Sequence, residues 1–162
     1  MTVKVLARLP LLAAILTICV ASGEEGPAPV DATEADAQIF ERQQIMQQLD
    51  KDAEQLGLIV AGLEPRDQLG PTARAVARGA AEAEASFQQI IPGGRSKPEV
   101  WSNHEDFARR MADFTRRAEA MAVLAEADDM NGVTETLGEA MPCKACHDIY
   151  RTPRRADPAA AQ

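Results

Sequence analysis

The first third of the chain carries one apolar stripe that fits a long helix and little else. Ile39, Met46, Leu49, Ala53, Leu56, Val60 and Leu63 follow one another at intervals of 7, 3, 4, 3, 4 and 3. Steps of three and four return each side chain to one face of a 3.6-residue helix, close to the seam of a helical bundle. This block is expected from about Glu34 to Gly62, where Gly62 and Pro65 end it. An alanine- and charge-rich block follows, from Asp67 or Thr72 to Ile91, and IPGGRSKP (91–98) breaks the chain. A third block, about Glu99 to Asp128, repeats the stripe with Phe107, Met111, Phe114, Ala118, Met121 and Leu124 or Ala125. A fourth runs from the Asn131-Gly132 turn to about Arg151. No alternating strand pattern interrupts them. Four helices with short connections predict an all-α, antiparallel four-helix bundle.

The ends of the chain read differently. Lys4 and Arg8 precede an apolar run from Leu9 to Val20, and Ala21, Ser22 and Gly23 follow it. That is the layout of a secretory signal over residues 1–23, with a run too short for a membrane span. Cys19 follows the bulky Ile18, a poor fit to a lipoprotein cysteine. Residues 24–33 form an acidic, Pro-containing linker, 34–152 the bundle, and 153–162 a tail. The chain is thus expected in the periplasm, with no membrane span once the signal is removed.

Charge narrows the partners. The formal net charge is -8, and loss of Lys4 and Arg8 with the signal makes it about -10. An acidic body repels nucleic acid and favours partners with a basic docking face. Aromatic residues make up only 4% of the chain, and alanine supplies much of its apolar content. Small side chains fill a core poorly, so a large apolar group inside the bundle would make up the shortfall.

The exported domain keeps two cysteines, in the stretch MPCKACHDIYR from Met141 to Arg151. Cys143, Cys146 and His147 stand at offsets of three and four, so a helix would present all three on one face. Cys-x-x-Cys-His is the attachment signature of c-type haem. A thioredoxin-like dithiol would want a βαβ setting. A structural zinc would need a fourth ligand, for which His104 is the one spare histidine. A Cys-x-x-Cys disulfide is the remaining reading. Export, the all-helical pattern and the adjacent imidazole together favour covalent haem.

Three segments resemble one family, the class II c-type cytochromes, that is, cytochrome c-prime and its low-spin relatives. CKACHDIYR is similar to the family's last helix, SKPEVWSNHEDF to the loop and start of its third, and RQQIM (42–46) to the part of its first helix that faces the haem. The likeness runs from about Asp31 to Arg151. It implies one covalent haem c near the C-terminus, with Cys143 and Cys146 as thioether anchors and His147 as axial ligand. It further implies Met46 over the opposite haem face, Arg42 near a propionate, and Arg151 close to the ligating imidazole. Dimerisation is common among such proteins, and the alanine-rich second helix suits packing against a copy. Without the resemblance, Met46 is a core methionine, Arg42 a solvated helix charge, and Arg151 a complement to a helix C-terminus. Trp101 is expected to pack at a helix start, His104 to lie on the surface, and Tyr150 to pack near the haem or the bundle end. If Met46 binds iron the expected function is one-electron transfer. If it only crowds the face, the iron is five-coordinate and takes small gases such as nitric oxide. Pro142 should kink the fourth helix or restart it.

Overall fold

The computed structural model describes residues 31–153; the signal sequence, most of the linker and residues 154–162 lie outside the described residues. Six helices occupy that span: α1 (Ala32–Val60), α2 (Leu69–Ser86), α3 (Glu99–Ser102), α4 (His104–Glu126), α5 (Met130–Ala140) and α6 (Cys143–Tyr150). A 3-10 turn, Arg66–Gln68, leads into α2. No strand occurs among the described residues. Helices α1, α2, α4 and the α5–α6 run are the four arms of the predicted bundle. α2 packs on both α1 and α4, α5 packs on α4, and α5 closes the ring against α1.

Local chemistry sets the helix ends. Asp31 caps α1 by accepting from the Glu34 amide at 2.9 Å, and Asp129 caps α5 by accepting from the Gly132 amide at 3.0 Å. Such caps stabilise a helix by about 1 kcal/mol each. α1 starts at Ala32, inside the segment assigned to the linker, and ends at Val60. Gly62 then turns away with φ +72, so Leu63 leaves the stripe and is 72% exposed. α2 stops at Ser86, five residues before the predicted limit. The third block divides at Asn103, whose backbone (φ -125, ψ 45) is not helical. The fourth divides at Pro142, so α6 is a separate helix.

The two ends of the bundle are built from different residues. At one end, Leu56, Ile59, Leu69, Val76, Met121 and Val133 are fully buried, an aliphatic core packed around small alanines. The α2 alanines Ala73, Ala77, Ala80 and Ala83 all lie in it, so that alanine face is used within the chain. At the α6 end, Phe87, Trp101, His104, Phe107 and Tyr150 form a chain of rings with centroids 4.9–6.2 Å apart. Four of the six Phe, Trp and Tyr residues of the sequence are gathered there. The scarce large side chains are concentrated where the chemistry is.

Candidate functional site

α6 has eight residues and makes few packing contacts of its own, so other elements must hold it. Its last turn is clasped by the 91–98 strap. The Lys97 amide donates to the Tyr150 carbonyl at 2.9 Å, and the Thr152 amide to the Arg95 carbonyl at 2.8 Å. Ser96 and Arg151 thereby form an isolated antiparallel bridge. The Lys97 ammonium donates to the Asp148 carbonyl at 2.9 Å, and the Arg95 guanidinium to the Thr152 carbonyl at 2.8 Å. Cations at these carbonyls suit the negative end of a helix. On the other side, buried Tyr150 donates its hydroxyl to Asp106 of α4 at 2.5 Å. Asp106 also pairs with Arg109 and Arg110.

On α6 the three predicted anchoring groups do share a helix face. Cys143 is exposed, while Cys146 and His147 are half-buried. Both cysteines are free thiols. The protein mass behind them raises both thiol pKa values, Cys143 included despite its exposed surface. A redox dithiol needs the opposite, a thiolate stabilised near neutral pH. Burial, then Arg151 and Arg95, lower the His147 pKa. Its imidazole is therefore neutral at pH 7, the state that ligates a metal. Among the described residues no three His, Cys, Asp or Glu side chains converge as a metal-ion site, which the zinc reading requires.

The α1 residue that approaches α6 is Asp50, just past the middle of the helix. The Asp50 carboxylate is close enough to act on both Cys143 and His147. Met46 stands one turn before Asp50, on the same helix face, and is half-buried against the core together with Ile45 and Cys146. One more turn back is Arg42, the one buried charged residue among the described residues, 5% exposed. Its guanidinium donates to the carbonyls of Ser86 at 2.7 Å, Ile91 at 2.7 Å and Gln89 at 3.0 Å. It also sits 4.6 Å over the Phe87 ring and 5.3 Å over the Trp101 ring. The solvated-charge reading of Arg42 therefore fails: it braces the end of α2 and the start of the strap. Three of its five N–H groups are engaged there. Beside it, Trp101 Nε1 is buried with no hydrogen-bond partner among the described residues. His104 is half-buried rather than on the surface, stacked between Trp101 and Phe107, with Nδ1 3.2 Å from the Val100 carbonyl. The sequence reading missed the Asp106–Tyr150 pair, because nothing local to either residue marks a contact between positions 44 apart.

These residues fit a covalently held haem. Two neutral thiols and a neutral imidazole lie on one helix face, Met46, with its soft thioether, is half-buried one turn before Asp50, which acts on that face, and an unsatisfied indole N–H suits a carboxylate acceptor such as a propionate. Fold and donor set together define a helical-bundle haem protein of the c type.

Comparison with known proteins agrees. The family described as Cytochrome C' matches residues 37–151. Cytochrome c' from Alcaligenes xylosoxydans xylosoxydans is 32% identical over 68 residues, which is 41% of this chain and 54% of that protein. The chain thus aligns with about half the length of that curated relative. Among solved structures, ferric cytochrome c prime from Alcaligenes xylosoxidans superposes with a TM-score of 0.68 at 24% identity, covering 74% of this chain and 97% of that one. The nitric oxide complex of a leucine-to-valine mutant of the same cytochrome gives the same values, with 74% and 97% covered, 24% identity and a TM-score of 0.68. At these identities the superpositions establish the four-helix fold, while the family match is independent of them. The chain belongs to the cytochrome c' family, whose members bind one covalent haem c.

Proposed function

We propose that the protein is a periplasmic one-electron carrier in which Cys143 and Cys146 would hold haem c by thioether bonds, and His147 and Met46 are the side chains that would ligate its iron. What supports this reading is that the half-buried Met46 stands one helical turn before Asp50, whose carboxylate acts on both Cys143 and His147. Bound haem supplies a ferric–ferrous couple, and His/Met ligation is the ligand set of electron-transfer cytochromes c. The chain's own residues do the rest. His147 enters as a neutral donor, and the strap and Tyr150 fix the helix that bears it. Arg42 holds α1 and the strap in register, with two N–H groups left for a propionate that Trp101 Nε1 would share. Arg151 lies close enough to the imidazole to depress its protonation. No acid–base catalyst is needed, so the reading is a carrier and not an enzyme. Export rests on the signal-like residues 1–23. No helix among the described residues is long and apolar enough to cross a membrane.

A second reading has its own support, since one similar structure is a nitric oxide complex of cytochrome c prime. If Met46 only shields the iron, the site is five-coordinate and binds small gases. Electron paramagnetic resonance and absorption spectra of the purified haem protein separate the two. Low-spin ferric iron that turns high-spin in Met46→Ala is the expected result. High-spin iron in the wild type, unchanged in Met46→Ala and with fast carbon monoxide uptake, assigns the open site instead.

A further inference from the structure

Tyr150 and Trp101 are the one tyrosine and the one tryptophan of the chain, and both lie at the α6 end. On α6, Tyr150 stands seven residues after Cys143, four after Cys146 and three after His147, so it continues their helix face by one turn. It is 3% exposed, and its ring meets Phe107 edge-on at 5.1 Å. Its hydroxyl donates to Asp106 Oδ2 at 2.5 Å, a short bond of the charge-assisted kind. The same oxygen accepts from Arg110 Nε at 2.6 Å, and Arg109 pairs with the other carboxylate oxygen. Asp106 and Arg110 both act on the Cys146 thiol, which places this cluster beside one of the two haem anchors.

The two readily oxidised rings have opposite surroundings. Phe87 and Phe107 link them, with centroids 6.1, 4.9 and 5.1 Å apart along Trp101–Phe87–Phe107–Tyr150. The Arg42 guanidinium lies 5.3 Å over the Trp101 ring, so positive charge left on the indole by loss of an electron would be repelled. Trp101 Nε1 has no acceptor among the described residues, and a propionate meeting it would be shared with Arg42 and so be a poor base. Tyr150 already has a carboxylate on its proton. Burial, then that carboxylate, push the phenol pKa up, so the ring stays protonated and has a proton to give. Arg110 and Arg109 oppose protonation of Asp106, yet a phenol that has lost an electron is a far stronger acid than any carboxylic acid.

We infer that Tyr150 and Asp106 form a proton-coupled one-electron donor beside the Cys146 anchor, which supplies an electron to strong one-electron oxidants once the iron is already ferric. Tyr150 loses one electron to the oxidant, its O–H bond breaks, and the proton forms a new O–H bond on Asp106 Oδ2. The products are a neutral phenoxyl radical and a neutral carboxylic acid, so the pair passes from one negative charge to none. Re-reduction returns the proton to the phenol. The site is separate from the ferric–ferrous couple, and neither the electron-carrier reading nor Met46 ligation enters into it.

A flash experiment on ferric holoprotein tests the pair. Excited tris(bipyridine)ruthenium(II) reduces pentaamminechlorocobalt(III) to cobalt(II) and becomes ruthenium(III), the one-electron oxidant. Freeze-quench electron paramagnetic resonance should show a neutral phenoxyl radical in the wild type and none in Tyr150→Phe. Asp106→Asn keeps an oxygen acceptor but takes no proton, and should slow phenoxyl formation about tenfold or more. Asp106→Glu should recover part of that rate. In the wild type the rate should not depend on phosphate concentration at fixed pH, because the proton has an internal acceptor; this measurement needs no variant to fold. An indole radical on Trp101 in the wild type, no radical on either ring, or a phenoxyl rate that rises with phosphate overturns the inference. So does an unchanged rate in folded Asp106→Asn. The ferric signal in the same spectra reports the iron's spin state, so the outcome here and that for Met46 ligation are separate results.

Discussion

Arg42 shows how much a single residue can hold in a bundle of this size. Removing its guanidinium strands three carbonyls on the segment between α2 and the strap and strips the cation from over two rings. Burial lowers its pKa, but a guanidinium starts so high that it stays charged. Arg42→Met should therefore cost about 2–4 kcal/mol, read as a shift of the urea midpoint at unchanged slope. Arg42→Lys should recover little, since an ammonium cannot reach three divergent carbonyls as a planar fork does. Tyr150 and Asp106 allow a second test. Arg110 first, then Tyr150, hold the Asp106 carboxyl below its usual range, while burial and Asp106 push the Tyr150 hydroxyl up. A depressed carboxylate contributes stability above its unfolded pKa and loses it as pH falls. A raised phenol contributes below its unfolded pKa and loses it as pH rises. The stability gap between wild type and Tyr150→Phe should be widest at neutral pH and shrink below about pH 4 and above about pH 10. A gap independent of pH would mean that the hydroxyl contributes only through packing.

At the scale of elements, the strap is where backbone chemistry is most constrained. Gly93 has φ +143, and a Cβ there would meet Ile39 Cδ1 at 2.5 Å. Gly93→Ala should destabilise by about 1–3 kcal/mol through backbone strain and overpacking combined. Gly138, in exposed α5 with nothing within 4 Å of an added methyl, should instead gain up to about 1 kcal/mol when changed to Ala, since only helix propensity is at stake. Thermal unfolding of the two variants gives both signs. The same elements mark how far the sequence was legible. The α1 and α4 stripes are periodic, so their helices follow from spacing, but the α1 stripe misses two of that helix's buried residues, Arg42 and Ile59. The Cys-x-x-Cys-His spacing likewise placed three groups on one face of α6. Breaks at Asn103 and Pro142 were harder, because a helix interrupted by one or two residues keeps its apolar period. The strap's clasp on α6 was not legible at all. It is made by main-chain hydrogen bonds between residues some 50 positions apart, and main-chain groups carry no sequence signal.

Across the whole molecule, burial differs from end to end in a way that the aromatic shortage anticipated. The end farthest from α6 closes on itself with small alanines between aliphatic side chains. At the α6 end, the apolar residues of α1, of the α5–α6 link and of α6, among them Ile39, Ile45, Met46, Met141 and Cys146, are only half-buried, and Phe40 is 62% exposed. Contact area there has to come from a group that is large, flat and apolar, which is what the Cys143, Cys146 and His147 face is equipped to hold. Folding should then be coupled to haem attachment at one end and nearly independent of it at the other. Hydrogen exchange on the mature holoprotein and on a Cys143→Ser, Cys146→Ser chain tests this directly. Without the cofactor, amides in α6 and in α1 before Leu49 should exchange at least tenfold faster. Amides around Leu56, Val76, Met121 and Val133 should keep most of their protection, because their burial depends only on one another. Equal loss along all four arms would show that the two ends fold as one unit. No loss in α6 would show that the strap and Tyr150 alone suffice to hold it.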